Sequence, residues 1–273
     1  RLFNCPCKII ICFFVCLSLI FSLPQITFAN SILTSGSNPS FEVLDRSSGL
    51  SNLSVSSIVQ DRDGFIWFGT QGGLNHYNGK EMKVFRHDPF TNKGLVHNLI
   101  QTMYYDRQKH ELCIGTYQGL SHLTIKNKRF TNYTVKKDGL SNPVVVAITI
   151  DNAGDVWIGT LEGLNKLNPE TGEINQYNIP GNVVRDLKID SQGQLLIASY
   201  QGLLYYKEQS DSIEKINLKL PSSYVMAIKE FKPGTITLGL WEGGVVDISL
   251  KTKEVTRKTF KDNIHPYNWH WFW

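Results

Sequence analysis

The chain has 273 residues, of which 41% are hydrophobic and 19% are charged, and its formal net charge is +4. This composition is typical of a folded protein and argues against a largely disordered one. The near balance of acidic and basic residues also argues against a nucleic-acid partner, which would need a strongly basic face. Beyond the first thirty residues no window has apolar groups at helical spacing, so the body of the chain is predicted to be all-β.

The N-terminal segment is built like a secretory signal peptide. Arg1 and Lys8 come before a run over 9–21 that is apolar apart from Ser18, and a small-residue exit ends at Ala29. A membrane-spanning helix needs about 20 apolar residues, which is longer than this run. Residues 1–29 are therefore predicted to be a signal peptide cleaved after Ala29, with an uncleaved anchor as the alternative.

The cysteines divide in the same way along the chain. Cys5, Cys7, Cys12 and Cys16 all lie in the predicted leader, and only Cys113 remains in the mature protein. Four clustered cysteines could hold a metal, but in a hydrophobic leader they are better interpreted as small apolar residues. We therefore expect no metal site and no intramolecular disulfide, and we interpret Cys113 as an unreactive core thiol.

A repeated phrase determines the predicted architecture. Residues 61–75, which begin Asp-Arg-Asp-Gly-Phe-Ile-Trp-Phe-Gly-Thr, return almost intact at 151–165, and three less regular copies lie between and after them. A four-stranded propeller blade needs roughly 40 to 50 residues. The sequence therefore predicts a β-propeller built from four-stranded blades of about 40–46 residues, with about five blades present. Successive copies, measured from Gly69, Gly115, Gly159, Ala198 and Gly239, are 39 to 46 residues apart.

Within each copy, apolar residues alternate with the period of a strand. In the first copy we predict strands at 55–60, 65–70, 74–78 and 83–86. The tail, 261–273, can be aligned with the start of an inner strand, so we expect an incomplete part of a larger propeller. The alternative is a five-blade ring closed by a strand at 41–44. The repeat region is predicted to span 30–260, with blades at about 53–90, 97–135, 143–179, 182–218 and 223–260.

Most of the recurrent residues are interpreted as structural. Asp and Gly specify a tight first turn, and the calcium loop that such a turn resembles would need further ligands that are missing here. Trp at matching positions most simply packs one blade against the next. The residues assigned to this frame are Asp61, Gly64, Trp67, Gly69, Thr70, Gly115, Asp151, Gly154, Trp157, Gly159, Thr160, Asp190, Gly193 and Gly239.

A second phrase, Gly-Leu-Ser-Asn at 49–52 and 139–142, introduces the blades. Alternate turns of a meander point to the same end, so these loops should share one face with the turns between second and third strands. The variable residues of those turns are amides, carboxylates and aromatics, which suit an oligosaccharide or another small polar ligand. An equally good interpretation is that they are ordinary solvent-exposed turns. The candidate ligand-binding residues are Gln71, Tyr117, Gln118, Glu162, Tyr200, Gln201, Trp241 and Glu242.

Four motifs of this chain together resemble the two-component regulator propeller repeat. They are Val-x-x-Ile-x-x-Asp, Gly-x-Ile-Trp-Ile-Gly-Thr, Gly-Leu-Asn and Gly-Leu-Ser-Asn. This resemblance implies the periplasmic sensor region of a bacterial receptor whose output domain is a histidine kinase or a diguanylate cyclase. It implies an N-terminal fragment that is not itself an enzyme and has no cofactor. Paired receptors would form through the full-length protein, which would also provide the membrane association.

Two other functions stay open. One is a secreted propeller enzyme, such as a lyase or a quinone-dependent dehydrogenase, and the other is a passive protein-interaction propeller. Scattered histidines are more often surface groups than catalysts or metal ligands. The seven histidines neither recur in register nor pair with carboxylates at ligand spacing, which argues against the enzyme: His76, His87, His97, His110, His122, His265 and His270.

Overall fold

Five four-stranded antiparallel sheets follow one another in a computed structural model that describes residues 42–91 and 93–258. In every sheet the strands pair in chain order, so each sheet is a simple meander. Helical structure in these residues is limited to α1 (Val135–Asp138) and one 3-10 turn (Glu208–Ser210). The predicted all-β propeller of four-stranded blades is confirmed. Blade 1 contains β1 (Val55–Gln60), β2 (Ile66–Thr70), β3 (Gly73–Tyr77) and β4 (Met82–Phe85); blade 2 contains β5 (Ile100–Asp106), β6 (Glu111–Thr116), β7 (Gly119–Thr124) and β8 (Arg129–Tyr133); blade 3 contains β9 (Val145–Ile150), β10 (Val156–Thr160), β11 (Gly163–Leu167) and β12 (Ile174–Tyr177); blade 4 contains β13 (Val184–Ile189), β14 (Leu195–Ser199), β15 (Gly202–Lys207) and β16 (Ser212–Lys215); blade 5 contains β17 (Val225–Lys232), β18 (Thr235–Leu240), β19 (Gly244–Ser249) and β20 (Val255–Arg257).

Some sequence predictions fall outside the described part of the chain. They are the signal peptide at 1–29, with its four cysteines, and the tail at 261–273. The alternative closing strand is only partly covered, and its described residues 42–44 have no strand structure. Val43 is instead 78% exposed. Among the described residues, no helix has the length and apolar character needed to cross a membrane.

The acidic first turn of each regular blade is stabilised by its own aspartate. Asp61 Oδ1 accepts hydrogen bonds from the backbone N–H groups of Asp63 and Phe65, both at 3.0 Å. Gly64 follows with a φ of 87°, a left-handed conformation that glycine adopts without strain. Asp151 repeats the pattern in blade 3, accepting from two backbone N–H groups at 3.0 Å. The carboxylate thus takes the place of backbone partners in the turn.

The same aspartates hold the tryptophans of the second strands. Trp67 Nε1 donates to Asp61 Oδ2 at 2.8 Å, and Trp157 Nε1 donates to Asp151 Oδ2 at the same distance. Both indoles are almost completely buried. Each Trp therefore buries its ring without leaving its N–H unpaired, because the turn of its own blade provides the acceptor.

The blades pack through their inner strands. Trp67 of blade 1 belongs to one buried cluster with Ile100 and Met103 of β5, and Trp157 of blade 3 is clustered with Val184 and Leu187 of β13. In each case the first and fourth residues of an inner strand cover the second strand of the preceding blade. The core is therefore distributed over the interfaces between consecutive blades.

Blade 1 differs at this position, because no preceding blade among the described residues covers its inner strand. Val55 and Ile58 are 38% and 60% exposed. The residues that correspond to Ile58 in the other four blades are buried, which shows how completely an adjoining blade covers this site. They are Met103, Ile148, Leu187 and Ile228, at 7%, 7%, 6% and 2% exposure.

The glycine of the Gly-Thr step lies where two blades approach most closely. A Cβ on Gly159 would lie 2.8 Å from Val184 Cβ and would clash with Val184 Cγ1. A Cβ on Gly115 would lie 2.7 Å from Val145 Cγ1. A real Cβ does not approach another atom this closely, so glycine is required here by interblade packing and not by its backbone dihedral angles.

Candidate ligand-binding face

The variable turns between second and third strands lie beside the loops that enter the blades. Four backbone N–H groups just after the Gly-Thr position donate to carbonyls of these entering loops. We call this common end of the blades the loop face. The bonds are Gln71 to Ser54 at 3.2 Å, Tyr117 to Leu99 at 3.1 Å, Leu161 to Val144 at 3.3 Å and Trp241 to Tyr224 at 2.9 Å.

A hydrogen-bonded frame beneath the loop face explains the two recurrent phrases. In blade 1, Ser51 N donates to Asn75 Oδ1 at 2.8 Å, and the hydroxyls of Ser51 and Thr70 lie 2.9 Å apart. The Thr70 hydroxyl also donates to the carbonyl of Gly73 at 2.9 Å. The entering loop is thus bonded to both strands of the turn beside it. Blade 3 repeats the network with Ser141, Thr160, Gly163 and Asn165, at distances of 2.9 Å.

Hydroxyls in the same place hold the variable residues by their backbones. Gln118 N donates to Thr116 Oγ1 at 3.1 Å, Glu162 N to Thr160 Oγ1 at 3.2 Å, and Gln201 N to Ser199 Oγ at 3.1 Å. In blade 4 a serine hydroxyl therefore replaces the threonine hydroxyl. The frame fixes the backbone of each turn and leaves its side chain free to vary.

The candidate residues are accessible, but the structure does not gather them into one cluster. Tyr117 and Trp241 are 45% and 49% exposed, and Tyr200 is half-buried. Within the described chain, no side-chain hydrogen bond joins one candidate residue to another. The remaining candidates, all exposed on the loop face, are Gln71, Gln118, Glu162, Gln201 and Glu242.

Two of the candidates belong to a compact group at blades 4 and 5. The rings of Tyr200 and Tyr224 meet edge to face, with centroids 5.2 Å apart and planes at 76°. The guanidinium carbon of Arg185 lies 5.9 Å from the Tyr200 ring centroid. Trp241 is joined to Tyr224 through its backbone N–H. We call Arg185, Tyr200, Tyr224 and Trp241 the aromatic corner.

Sequence reasoning missed half of this corner. Tyr224 and Arg185 lie outside the Gly-Thr turn that was used to choose candidates, one just before β17 and the other near the start of β13. A usable signal existed for Tyr224, because the residue just before an inner strand is the partner of the variable turn in blades 1, 2, 3 and 5. Arg185 had no comparable signal, since the corresponding residues of the other blades are uncharged.

Two histidine–carboxylate pairs lie at the end of the blades opposite to the loop face. His110 Nε2 is 3.3 Å from Asp63 Oδ2, in the first turn of blade 1, and its Nδ1 is 2.7 Å from the Tyr105 hydroxyl. His122 Nε2 is 3.0 Å from Glu111 Oε2, at the start of β6, and burial lowers the pKa of His122. These pairs connect strands and turns away from the loop face.

The described residues contain no group of three or more histidine, cysteine or acidic side chains able to hold a metal ion. Cys113 is 1% exposed, and burial raises the pKa of its thiol far above the ordinary value. A thiol in this environment stays protonated and is a poor nucleophile. We assign Cys113 to packing between blades 2 and 3, where it belongs to a buried cluster with Val145.

Comparison with known families confirms the resemblance seen in the motifs. The model of the family described as "Two component regulator propeller" matches residues 49–72 and 139–162. A relative named histidine kinase P4, from Formosa agariphila, is 27% identical over 193 residues. This alignment covers 66% of the chain but only 14% of the kinase, so the chain spans a small part of that relative.

Solved structures share the fold at low sequence identity. The extracellular domain of a hybrid two component system from B. thetaiotaomicron gives a TM-score of 0.60 at 22% identity, covering 80% of this chain and 37% of that one. The extracellular domain of a one component system from the same organism gives 0.65 at 21%, covering 77% and 30%. Virginiamycin B lyase from Staphylococcus aureus gives 0.61 at 16%, covering 77% and 71%. The shared propeller is therefore found in both sensors and an enzyme.

Proposed function

We propose that this chain, which carries two-component regulator propeller repeats, is the extracytoplasmic ligand-sensing propeller of a bacterial signal-transduction receptor. The output domain, a kinase or a cyclase, would lie in the rest of that receptor. The predicted signal peptide supports export to the periplasm, and a similar kinase and two similar extracellular domains support the receptor context. Dimerisation would occur through the full-length receptor.

The observation that carries this proposal is that, on the loop face, the hydrogen-bonded frame repeats from blade to blade while the side chains that it positions vary. Thr70 and Thr160 make matching hydrogen bonds in two blades. The residues whose backbone N–H groups are held at this place nevertheless differ from blade to blade: Gly72, Gln118, Glu162 and Gln201. A rigid scaffold with variable loops is how many folds present binding residues. The loop face is therefore our candidate for recognition.

The chemistry of the loop face favours a small polar ligand with flat apolar patches, such as an oligosaccharide. Tyr117 and Trp241 expose large aromatic surfaces that can stack on a sugar ring. Gln71, Gln118 and Gln201 expose amides, which both donate and accept hydrogen bonds. This pairing of ring faces with amides suits hydroxyl-rich ligands better than purely apolar ones.

We propose that the chain itself is not an enzyme, although a lyase shares its fold. Acid–base catalysis needs a titratable pair within reach of the substrate. The pairs formed by His110 with Asp63 and by His122 with Glu111 lie at the end away from the loop face. Sensing needs only that the ligand binds one signalling state more tightly than the other.

Calorimetric titration of the purified chain with short neutral and acidic oligosaccharides tests this function. For any ligand found, Tyr200→Ala and Trp241→Ala should each weaken binding by about tenfold, since stacking on an aromatic ring contributes about 1 kcal/mol or more. Phe231→Ala is the matched control, because Phe231 is 71% exposed and lies near the end of β17 that points away from the loop face. Unchanged binding in both loop-face variants would refute the site.

A further inference from the structure

Every inner strand has a β-bulge at the same place. Pairing between first and second strands is interrupted in all five blades, which leaves one unpaired residue near the loop face. Such bulges redirect a side chain out of the regular sheet and often lie next to binding sites. Only one of the five bulge residues is charged. They are Ser56, Gln101, Val146, Arg185 and Met226.

Arg185, which is partly buried, also lacks a hydrogen-bonded or ionic partner in the described part of the chain. Within 42–91 and 93–258 its guanidinium makes no hydrogen bond and no salt bridge, and its Nε is shielded from solvent without an acceptor. A buried donor without a partner is costly, and more so when it is charged. Ser56, in the corresponding position of blade 1, instead donates to the carbonyls of Gly69 and Ile100.

The neighbours of Arg185 leave it available for a ligand. Tyr200 packs against its guanidinium at 5.9 Å, and Tyr224 supports Tyr200 from the side. The exposed indole of Trp241 belongs to the turn that is bonded to Tyr224. The corner thus combines aromatic surfaces with a cation that has no hydrogen-bonded or ionic partner among the described residues. Because its Nε is shielded from solvent, Arg185 would pair with a carboxylate or sulfate through its Nη–H groups.

We propose that the aromatic corner binds the negatively charged group of an acidic ligand, with Arg185 as the anion-binding residue and Trp241 and Tyr224 against its flat face. This inference rests on the proposed sensing function and narrows the ligand class from polar to anionic. An acidic oligosaccharide, whose carboxylate or sulfate projects from a sugar ring, has both required features. Such a ligand would provide the anionic partner that the Arg185 guanidinium lacks.

The test compares short oligogalacturonides with their methyl esters, which keep the rings but remove the charge. The side-chain Nε–H signals of Arg185 and the indole N–H of Trp241 are followed by NMR at constant ionic strength. We expect the acids to shift both signals and to bind about tenfold more tightly than the esters, because a charged hydrogen bond is lost. Sodium sulfate, against sodium chloride, should also shift the Arg185 signal.

Arg185→Met should remove the preference for the acid, and Arg185→Lys, which keeps the charge but not the paired N–H groups, should retain only part of it. Arg129→Met is the matched control. It makes the same charge change on an exposed residue at the start of β8, away from the loop face, and should leave the preference intact. Thermal unfolding of each variant verifies that it is folded.

Equal affinity for acid and ester, or an unchanged preference in Arg185→Met, would overturn the anionic assignment while leaving the sensor proposal standing. Failure of both acids and sulfate to move the Arg185 signal would also overturn it. Failure of the sensing function itself has a different signature: Tyr200→Ala and Trp241→Ala would then leave the response of the full-length receptor unchanged in a reporter assay.

Discussion

Replacing Gly159 by alanine tests whether glycine in the Gly-Thr step is required by interblade packing. The added Cβ would lie 2.8 Å from Val184 Cβ and 3.2 Å from Ala147 Cβ. Overpacking of a well-packed core costs about 1 to 3 kcal/mol. Alanine also reduces the conformational freedom of the unfolded chain, which stabilises the folded state by about 0.4 to 1 kcal/mol. We therefore expect Gly159→Ala to lower the free energy of unfolding by about 1 to 2 kcal/mol.

Urea unfolding of four proteins measures this effect: wild type, Gly159→Ala, Val184→Ala and the double variant. If the clash is with Val184, the double variant should be more stable than the sum of the single effects predicts, by about 1 kcal/mol. Ala198→Gly is the control in blade 4, where a methyl group already fills the corresponding slot. It should also destabilise, because it removes a packed group. A neutral or stabilising Gly159→Ala, or additive effects of the two single substitutions, would refute the packing explanation.

Two further predictions concern the partly buried carboxylates of Asp186 and Asp151. Burial raises the pKa of Asp186 to about 6, so its contribution to stability is fully present below the unfolded value of about 3.9 and is lost as the pH rises through 6. Between pH 4 and pH 7 the free energy of unfolding of wild type should therefore fall by about 1 to 3 kcal/mol relative to that of Asp186→Asn, when solvent screening is taken into account. Parallel pH profiles of the two proteins in urea unfolding would contradict this. Trp157→Phe leaves the Asp151 carboxylate without its indole donor at 2.8 Å and should cost about 2 to 4 kcal/mol. In the same denaturation assay Phe90→Ala should stay within about 0.5 kcal/mol of wild type, and a comparable loss in both variants would argue against a specific role for the indole.

The strands of the first blade were predictable nearly to the residue. The predicted inner strand at 55–60 is found at Val55–Gln60, and the other three strands differ from the prediction by at most one residue at each end. Alternation of apolar residues and turn signals made this possible, since both act locally. The hydrogen bond between Ser51 and Asn75 was not predictable, although both residues belong to recurrent phrases, because it joins groups 24 positions apart.

The candidate site was predicted less completely than the fold. Exposure of Tyr117 and Trp241 on the loop face agrees with their place in variable turns, but no local pattern connected Tyr200 with Arg185 or Tyr224. Their proximity depends on a bulge in β13 and on the entry of the chain into blade 5. Whether these residues bind a ligand is what the proposed titrations decide.

The sequence by itself determined the repeat, its blade length, its turns and the positions of its buried tryptophans, because each depends on residues close together in the chain. Only the tertiary structure decided which side chains from neighbouring blades meet. Packing of β13 and β17 beside one another brings Arg185 and Tyr200 of blade 4 to Tyr224 and Trp241 of blade 5. The physical reason is that blade packing joins residues far apart in the chain, and a side chain left unpaired by that packing, such as Arg185, cannot be recognised until its neighbours are in place.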